Sequence, residues 1–175
     1  MKKQILSENE IERIISRICS EILERNNDLS SLIIIGIRKR GDILAKKIAQ
    51  KIESTDGKSV PTSAIDITFY RDDVYLKAYK YIGKDEIRFD VTDKNVILVD
   101  DVIFTGRTIR AAIDVLIDSG RPKSIQLAVL IDRGSREIPI QPNYVGKKIS
   151  AGIESDVLVR LEEIDGENKV MVSTK

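Results

Sequence analysis

The chain has 175 residues, 42% hydrophobic and 33% charged, which is enough apolar matter to bury a core without disulfide or metal staples. Its 29 lysines and arginines against 28 acids leave a net charge of +1, so bulk charge demands neither a nucleic acid nor an anionic membrane, and any basic surface must come from local clustering. One cysteine excludes an intrachain disulfide, no apolar run is long enough to span a bilayer, and the lack of histidine removes the commonest general base and metal ligand; the expectation is a single domain over residues 1–175 in the reducing cytoplasm.

Ser7 and Glu10 have the spacing of a capping box, and Ile11, Ile14, Ile15, Ile18, Ile22 and Leu23 recur at helical intervals, predicting a helix over Glu8–Arg25. A polar break at 26–31 precedes Leu32, Ile33, Ile34 and Ile35, an unbroken apolar run that suits a strand covered on both faces. A second helix is expected from Asp42, with Ile43, Leu44, Ile48 and Ile52 inward and Lys46, Lys47 and Lys51 outward. After the turn at Asp56, Gly57 and Lys58, residues 64–70 alternate as a half-buried strand. Residues 71–95 are rich in charge, carry Tyr75, Tyr79, Tyr81 and Phe89, and have no helical period, which reads as a flap or hairpin. Val96, Ile97, Leu98 and Val99 form another buried strand, residues 100–105 a loop, and Ile109, Ala112, Ile113, Leu116 and Ile117 a helix stopped by Gly120 and Pro122. Further strands are expected at 125–131, 157–161 and 170–172. Strand and helix alternate through the middle, which predicts an α/β fold: a central, mostly parallel sheet flanked by helices, with ligands at the carboxyl ends of its strands.

The segment Val99, Asp100, Asp101, Val102, Ile103, Phe104, Thr105, Gly106, Arg107 and Thr108 places paired carboxylates where a buried strand emerges, then hydroxyls and a glycine where a helix begins. Backbone N–H groups, hydroxyls and the positive helix end suit a phosphate, and adjacent carboxylates suit the vicinal diol of a ribose, offsetting positive charge that develops on its ring. The plain alternative is an exposed acidic turn with Thr105 as a helix cap. The fixed order of apolar run, acids and Thr-Gly-Arg-Thr at one strand-loop-helix junction favours ribose 5-phosphate, and neither a Walker lysine loop nor a Gly-x-Gly-x-x-Gly follows any strand. Arg38, Lys39, Arg40 and Gly41, between a strand and a helix, read as a cationic loop for a diphosphate or as a solvated basic turn.

The segment 96–108 resembles the phosphoribosyltransferase signature, and Thr105-Gly106-Arg107-Thr108 is similar to the form it takes in the PyrR family of pyrimidine-operon regulators. Gly36 to Gly41 resembles that family's diphosphate-binding loop, Asp66 to Asp73 the entry to its flexible loop, and Gly120-Arg121-Pro122 through Asp132-Arg133-Gly134 its return strand and base-binding hood. The resemblance covers nearly the whole chain and implies a type I phosphoribosyltransferase fold with a flexible flap and a small hood. It implies transfer of the phosphoribosyl group from 5-phosphoribosyl 1-diphosphate to a base. Purine-using relatives commonly carry an acid immediately before Thr-Gly; here Phe104 stands there, which favours uracil and UMP, with Phe104 either stacking on the base or packing against the sheet. Catalysis is expected to rest on Asp100, Asp101 and Arg71, with magnesium arriving with the substrate, Arg38 to Arg40 neutralising the leaving diphosphate, and Phe104, Ile131, Asp132 and Arg133 meeting the base.

The PyrR resemblance also implies binding of pyr messenger RNA in response to UMP or UTP, and Arg13, Arg17, Arg25, Arg136, Lys147 and Lys148 are the cations placed to track phosphates. Arg17, Glu21 and Arg25 equally read as i,i+4 partners on a solvated helix. The sequence departs from the family at Ser20 and Ser135, where relatives often have histidine, at Gln141, where a basic residue is usual, and over 150–154, which is less basic; the flap is a few residues short. These departures bear on RNA affinity and leave the phosphoribosyl residues intact. Three readings follow: a regulator that keeps uracil phosphoribosyltransferase activity, a plain salvage enzyme with no RNA role, and a nucleotide sensor without catalysis. A homodimer or higher assembly is implied by the family, and no membrane association.

Overall fold

The computed structural model describes residues 2–67, 90–150, 152 and 155–174. Arg71 and most of the expected flap, Tyr75, Tyr79, Tyr81 and Phe89 included, lie outside the described residues.

The Glu10 carboxylate accepts hydrogen bonds from the backbone N–H and the hydroxyl of Ser7, both at 2.8 Å, and this closure starts helix α1 (Glu8–Arg25) just after strand β1 (Lys2–Leu6). Ile11, Ile15, Ile18 and Ile22 form the buried stripe of α1. Strand β2 (Leu32–Ile37) is buried at every position, as its unbroken apolar run requires. Helix α2 (Arg40–Asp56) leads to β3 (Thr62–Ile65), and beyond residues 68–89 come β4 (Asn95–Ile103), α3 (Arg107–Asp118), β5 (Ser124–Asp132) and β6 (Tyr144–Lys148). These strands make a parallel sheet in the order β3-β2-β4-β5-β6.

Successive side chains of a strand face opposite ways, and here the two faces fill two cores. Leu32 and Ile34 of β2 and Ile97 and Val99 of β4 pack with α1 and α2. Ile33, Ile35 and Ile37, with Val96 and Leu98, pack with Ile109, Ala112 and Leu116 of α3. A second, antiparallel sheet joins the chain ends in the order β1-β8-β7, formed by β7 (Ser155–Arg160) and β8 (Lys169–Thr174) across the short helix α4 (Glu162–Asp165). No helix among the described residues is long and apolar enough to cross a membrane.

The structure corrects several sequence expectations. Helix α2 begins at Arg40, so that arginine belongs to its first turn. Strand β3 stops at Ile65, short of the strand expected over 64–70, and residues 68–70 lie outside the described set. Most consequential, residues 100–103 are not loop: Asp100 pairs with Val129, Val102 with Ile131 and Ile103 with Asp132, so β4 carries both acids on the sheet. Strands β1 and β6 were not anticipated, because Lys2, Lys3, Gln4, Lys147 and Lys148 give no apolar alternation.

Candidate active site

Two glycines let the start of α2 lie directly on the sheet. A Cβ at Gly36 of β2 would overlap the Gly41 carbonyl and the Asp42 backbone, and a Cβ at Gly41 would overlap the Val99 carbonyl of β4. This seating delivers the basic loop to the ends of β2 and β4. Arg38 and Lys39 are exposed and Arg40 is half-buried, and the Arg38 N–H is fixed to the Ile65 carbonyl at 3.0 Å.

At the matching end of β4, Asp100 is 6% exposed and Asp101 half-buried. Each carboxylate bends back on the chain: Asp100 Oδ1 accepts from the Asp101 N–H and Asp101 Oδ1 from the Val102 N–H, both at 2.9 Å. Burial pushes the Asp100 carboxyl well above the usual carboxylate range, and the Asp101 charge beside it adds to the effect. Burial also raises Asp101, opposed by a hydrogen bond from Asp100 and by the Arg40 charge. The loop expected at these acids is therefore overturned, and with it the alternative of an exposed acidic turn: strand pairing draws both acids toward the sheet, and Asp100 is buried.

Arg38, Lys39, Arg40, Asp66, Asp100, Asp101 and Thr108 line one open cleft of about 320 Å³. The two motifs read separately from the sequence thus meet across it. Helix α3 opens from Gly106, whose φ of 93° is a conformation that side chains with a Cβ rarely adopt. Thr105 and Thr108 are half-buried, and the Arg107 N–H donates to Thr105 Oγ1 at 3.3 Å. The Arg107 side chain turns away to Glu137 at 2.7 Å. Val99 and Ile103 do not line the cleft; their side chains belong to the two cores.

Residues 133–140 close on this loop through hydrogen bonds that no sequence pattern exposed. The Thr105 carbonyl accepts from the N–H groups of Glu137 and Ile138 at 2.9 and 3.1 Å, and the Arg133 N–H donates to the Ile103 carbonyl at 3.0 Å. The Arg133 guanidinium lies 4.1 Å from the centroid of the Phe104 ring. Arg136, with its side chain 12% exposed, donates to Asp132 Oδ1 at 2.8 Å and to the carbonyls of Phe104 and Ile140 at 3.0 Å each. Ile131 is buried in the core, with its backbone in the strand pairing on both sides.

Of the cations read as phosphate-tracking, Arg13, Arg17, Arg25 and Lys148 are exposed. Arg17 bonds Glu21 at 2.7 Å and also donates to the carbonyls of Val145 and Gly146, at 3.0 and 2.7 Å, which ties α1 to β6. Lys147 donates to the Ile5 carbonyl at 3.0 Å. Arg136 is held by Asp132 and by the carbonyls of Phe104, Gly134 and Ile140. Ser20 and Gln141 are exposed, and Ser135 sits at a positive φ of 55°.

Residues 1–161 match the phosphoribosyl transferase domain family. The chain is 53% identical to the bifunctional protein PyrR of Acetivibrio thermocellus over 173 residues, covering 98% of this chain and 94% of that protein. It is 50% identical to the bifunctional protein PyrR of Pelotomaculum thermopropionicum over 172 residues, 98% of this chain and 95% of the other. Among solved structures, a hypoxanthine phosphoribosyltransferase from Staphylococcus aureus shares the fold with a TM-score of 0.74 at 19% identity, over 99% of this chain and 92% of that one.

Proposed function

From the premise that the chain belongs to the phosphoribosyltransferase family, in its PyrR branch, we propose that it regulates a pyrimidine operon through RNA and transfers a phosphoribosyl group to uracil. One observation carries the enzymatic part: the basic loop, the acid pair of β4 and the start of α3 face a single cleft. The reaction breaks the bond from ribose C1 to diphosphate and forms one from C1 to uracil N1, the N1 proton passing to the departing diphosphate or to water. Arg38, Lys39 and Arg40 take the charge of the departing diphosphate, Asp100 and Asp101 face the ribose and its developing positive charge, and Thr105 to Thr108 hold the 5-phosphate at the helix start. With no imidazole in the chain, positioning and electrostatics supply the rate.

Magnesium fits this donor set in a limited way. Asp100 and Asp101 offer hard oxygen ligands, but no cluster of three or more carboxylates or thiols among the described residues would cage an ion, so the metal would enter on the diphosphate and complete its shell with substrate oxygens and water. Bound there, it neutralises leaving-group charge. Phe104, under Arg133, has no group to serve a purine N7. The expected result is magnesium-dependent conversion of uracil to UMP, with hypoxanthine and guanine turned over at least about a hundredfold less efficiently, a difference within reach of polar mismatch at a base site. Initial rates with each base, with and without excess chelator, check this; comparable purine turnover or chelator-insensitive activity overturns it.

The RNA role rests on a thinner set of exposed cations. Arg17 and Lys147 are engaged with backbone carbonyls, and that observation favours the second reading, a salvage enzyme alone. The regulatory reading predicts that UMP tightens binding of a pyr leader hairpin and that RNA tightens UMP equally, since coupling is reciprocal. It also predicts that affinity falls with salt, and that neutralising Arg13, Arg25 or Lys148 flattens the slope by about one counterion each. Titrations at two salt concentrations, with and without UMP, decide; binding indifferent to UMP leaves the salvage enzyme.

A further inference from the structure

We propose that Asp165 is a positioning residue for the transfer reaction, holding the Arg40 guanidinium at the diphosphate cleft from the opposite end of the chain. The inference rests on the transferase reading above. Arg40 opens α2 and lines the cleft with Asp100 and Asp101. Its Nη2 lies 3.1 and 3.2 Å from the two carboxylate oxygens of Asp165, which is 125 residues away in sequence. The two side chains are 32% and 19% exposed, so solvent screens the pair only in part. Arg40 Nε is buried and has no hydrogen-bond partner among the described residues. Asp165 is thus what fixes the direction of this guanidinium, and an arginine left without it would have to surrender rotamer freedom when the ligand binds.

The anchor is itself built to stay in place. Asp165 Oδ2 accepts the Leu161 N–H at 3.0 Å, closing the turn of α4, and that bond, with the nearby arginine, holds its carboxyl below the usual range. Helix α4 ends at Gly166 with φ 72°, where the N–H of Gly166 reaches the Glu162 carbonyl at 3.0 Å. Two turns along the same face of α2, Lys47 bonds Glu163 at 2.6 Å, so α4 is pinned to α2 at two points, of which only the Arg40 end touches the cleft. Asp165 itself does not line the cleft, so its charge meets an anionic ligand only through the arginine it orients.

The test compares the full-length protein with Asp165→Asn, Asp165→Glu, Glu163→Gln, Arg40→Met and the Arg40→Met/Asp165→Asn double variant. Readouts are KM for 5-phosphoribosyl 1-diphosphate and for uracil, and calorimetric affinity for inorganic diphosphate with magnesium. Asp165→Asn, which keeps an acceptor for Leu161, is expected to weaken both diphosphate measures roughly tenfold, the order of one charge-assisted hydrogen bond, with uracil KM unchanged. Asp165→Glu should recover most of that loss, Glu163→Gln should match wild type, and Asp165→Asn should add nothing once Arg40 is methionine. A merely structural role would lower the active fraction without moving KM. Unchanged diphosphate affinity, an equal loss in Glu163→Gln, or a full Asp165 effect in the Arg40→Met background overturns the proposal. If Asp165→Asn does not fold, Asp165→Ser replaces it. A wild type that makes no UMP overturns the transferase reading instead, and the diphosphate affinities still decide the role of Asp165.

Discussion

Asp100→Asn and Asp101→Asn are each expected to lower UMP formation by about two to three orders of magnitude, the usual loss when a preorganised charge facing a transition state is removed, while raising the thermal midpoint at pH 8. The two effects share one cause. Asp100 is buried on a strand beside a second carboxylate, and burial lifts both acids above their ordinary values. In the unfolded chain each titrates near the ordinary carboxylate value of about 4. Between that value and the raised folded one, the native state binds more protons than the unfolded state. The contribution of each acid to stability is then fully present below the unfolded value and is lost as pH rises through the folded value. At pH 8, above the unfolded value, the fold carries the cost of keeping these acids buried, as charge or as retained protons, and asparagine, neutral throughout and able to keep the Oδ1 bonds to the Asp101 and Val102 N–H groups, removes it. The gain in midpoint should shrink toward zero near pH 4 and below. Initial rates and melting curves at both pH values check this; wild-type kinetics in both variants would remove the acid pair from the active site.

The same acids show where the sequence was legible. The run Val96 to Val99 marked a buried strand, and that stands; the loop expected from Asp100 does not, since Asp100 is buried on the same strand. Where the strand ends was not legible, because side-chain pattern records burial, whereas β4 continues to Ile103 through backbone pairing with β5. Strand β1 is an extreme of this: Lys2, Lys3 and Gln4 are exposed and paired only by their register with β8. Strand β6 escaped for another reason, since α1 crosses over Gly146 and Lys147 spends its amine on Ile5, so neither residue follows an apolar alternation. The phosphate loop and the basic loop were each readable as local motifs, because strand, turn residues and helix start are consecutive in the chain. The fastening of that loop by Arg136, Glu137 and Ile138 links residues some thirty positions apart, and the Arg40 to Asp165 pair is more distant still. Nothing local announces such partners; they become visible once the sheet order is known.

Gly41→Ala is expected to cost more function than its single methyl group suggests, cutting kcat/KM for 5-phosphoribosyl 1-diphosphate by roughly a hundredfold and destabilising the fold by about 1–3 kcal/mol, the range for forced overpacking. The methyl would overlap the Val99 carbonyl and come within 3.2 Å of Asp100 Cα, so it meets the backbone of β4 at the residue preceding the acid pair. Relief by moving β4 is blocked, because β2 and β5 hold it on both sides. Gly36 is the register partner of Val99 and sits under the same helix start, so relief can come only by lifting the start of α2 off the sheet. What yields is the first turn of α2, and Arg40 and the loop before it move with that turn, away from the position from which they face the diphosphate. A Gly57→Ala variant provides the contrast: its φ of 74° is also unfavourable for alanine, but a Cβ there meets nothing within 4 Å, at the far end of the same helix. It should lose about 1 kcal/mol of stability and no activity. Urea midpoints and substrate KM for the two variants separate strain from displacement. Gly41→Ala with wild-type KM would show that the basic loop does not depend on the seating of α2, whereas equal stability loss in both variants with a kinetic defect only in Gly41→Ala would locate the defect in the placement of the diphosphate cations.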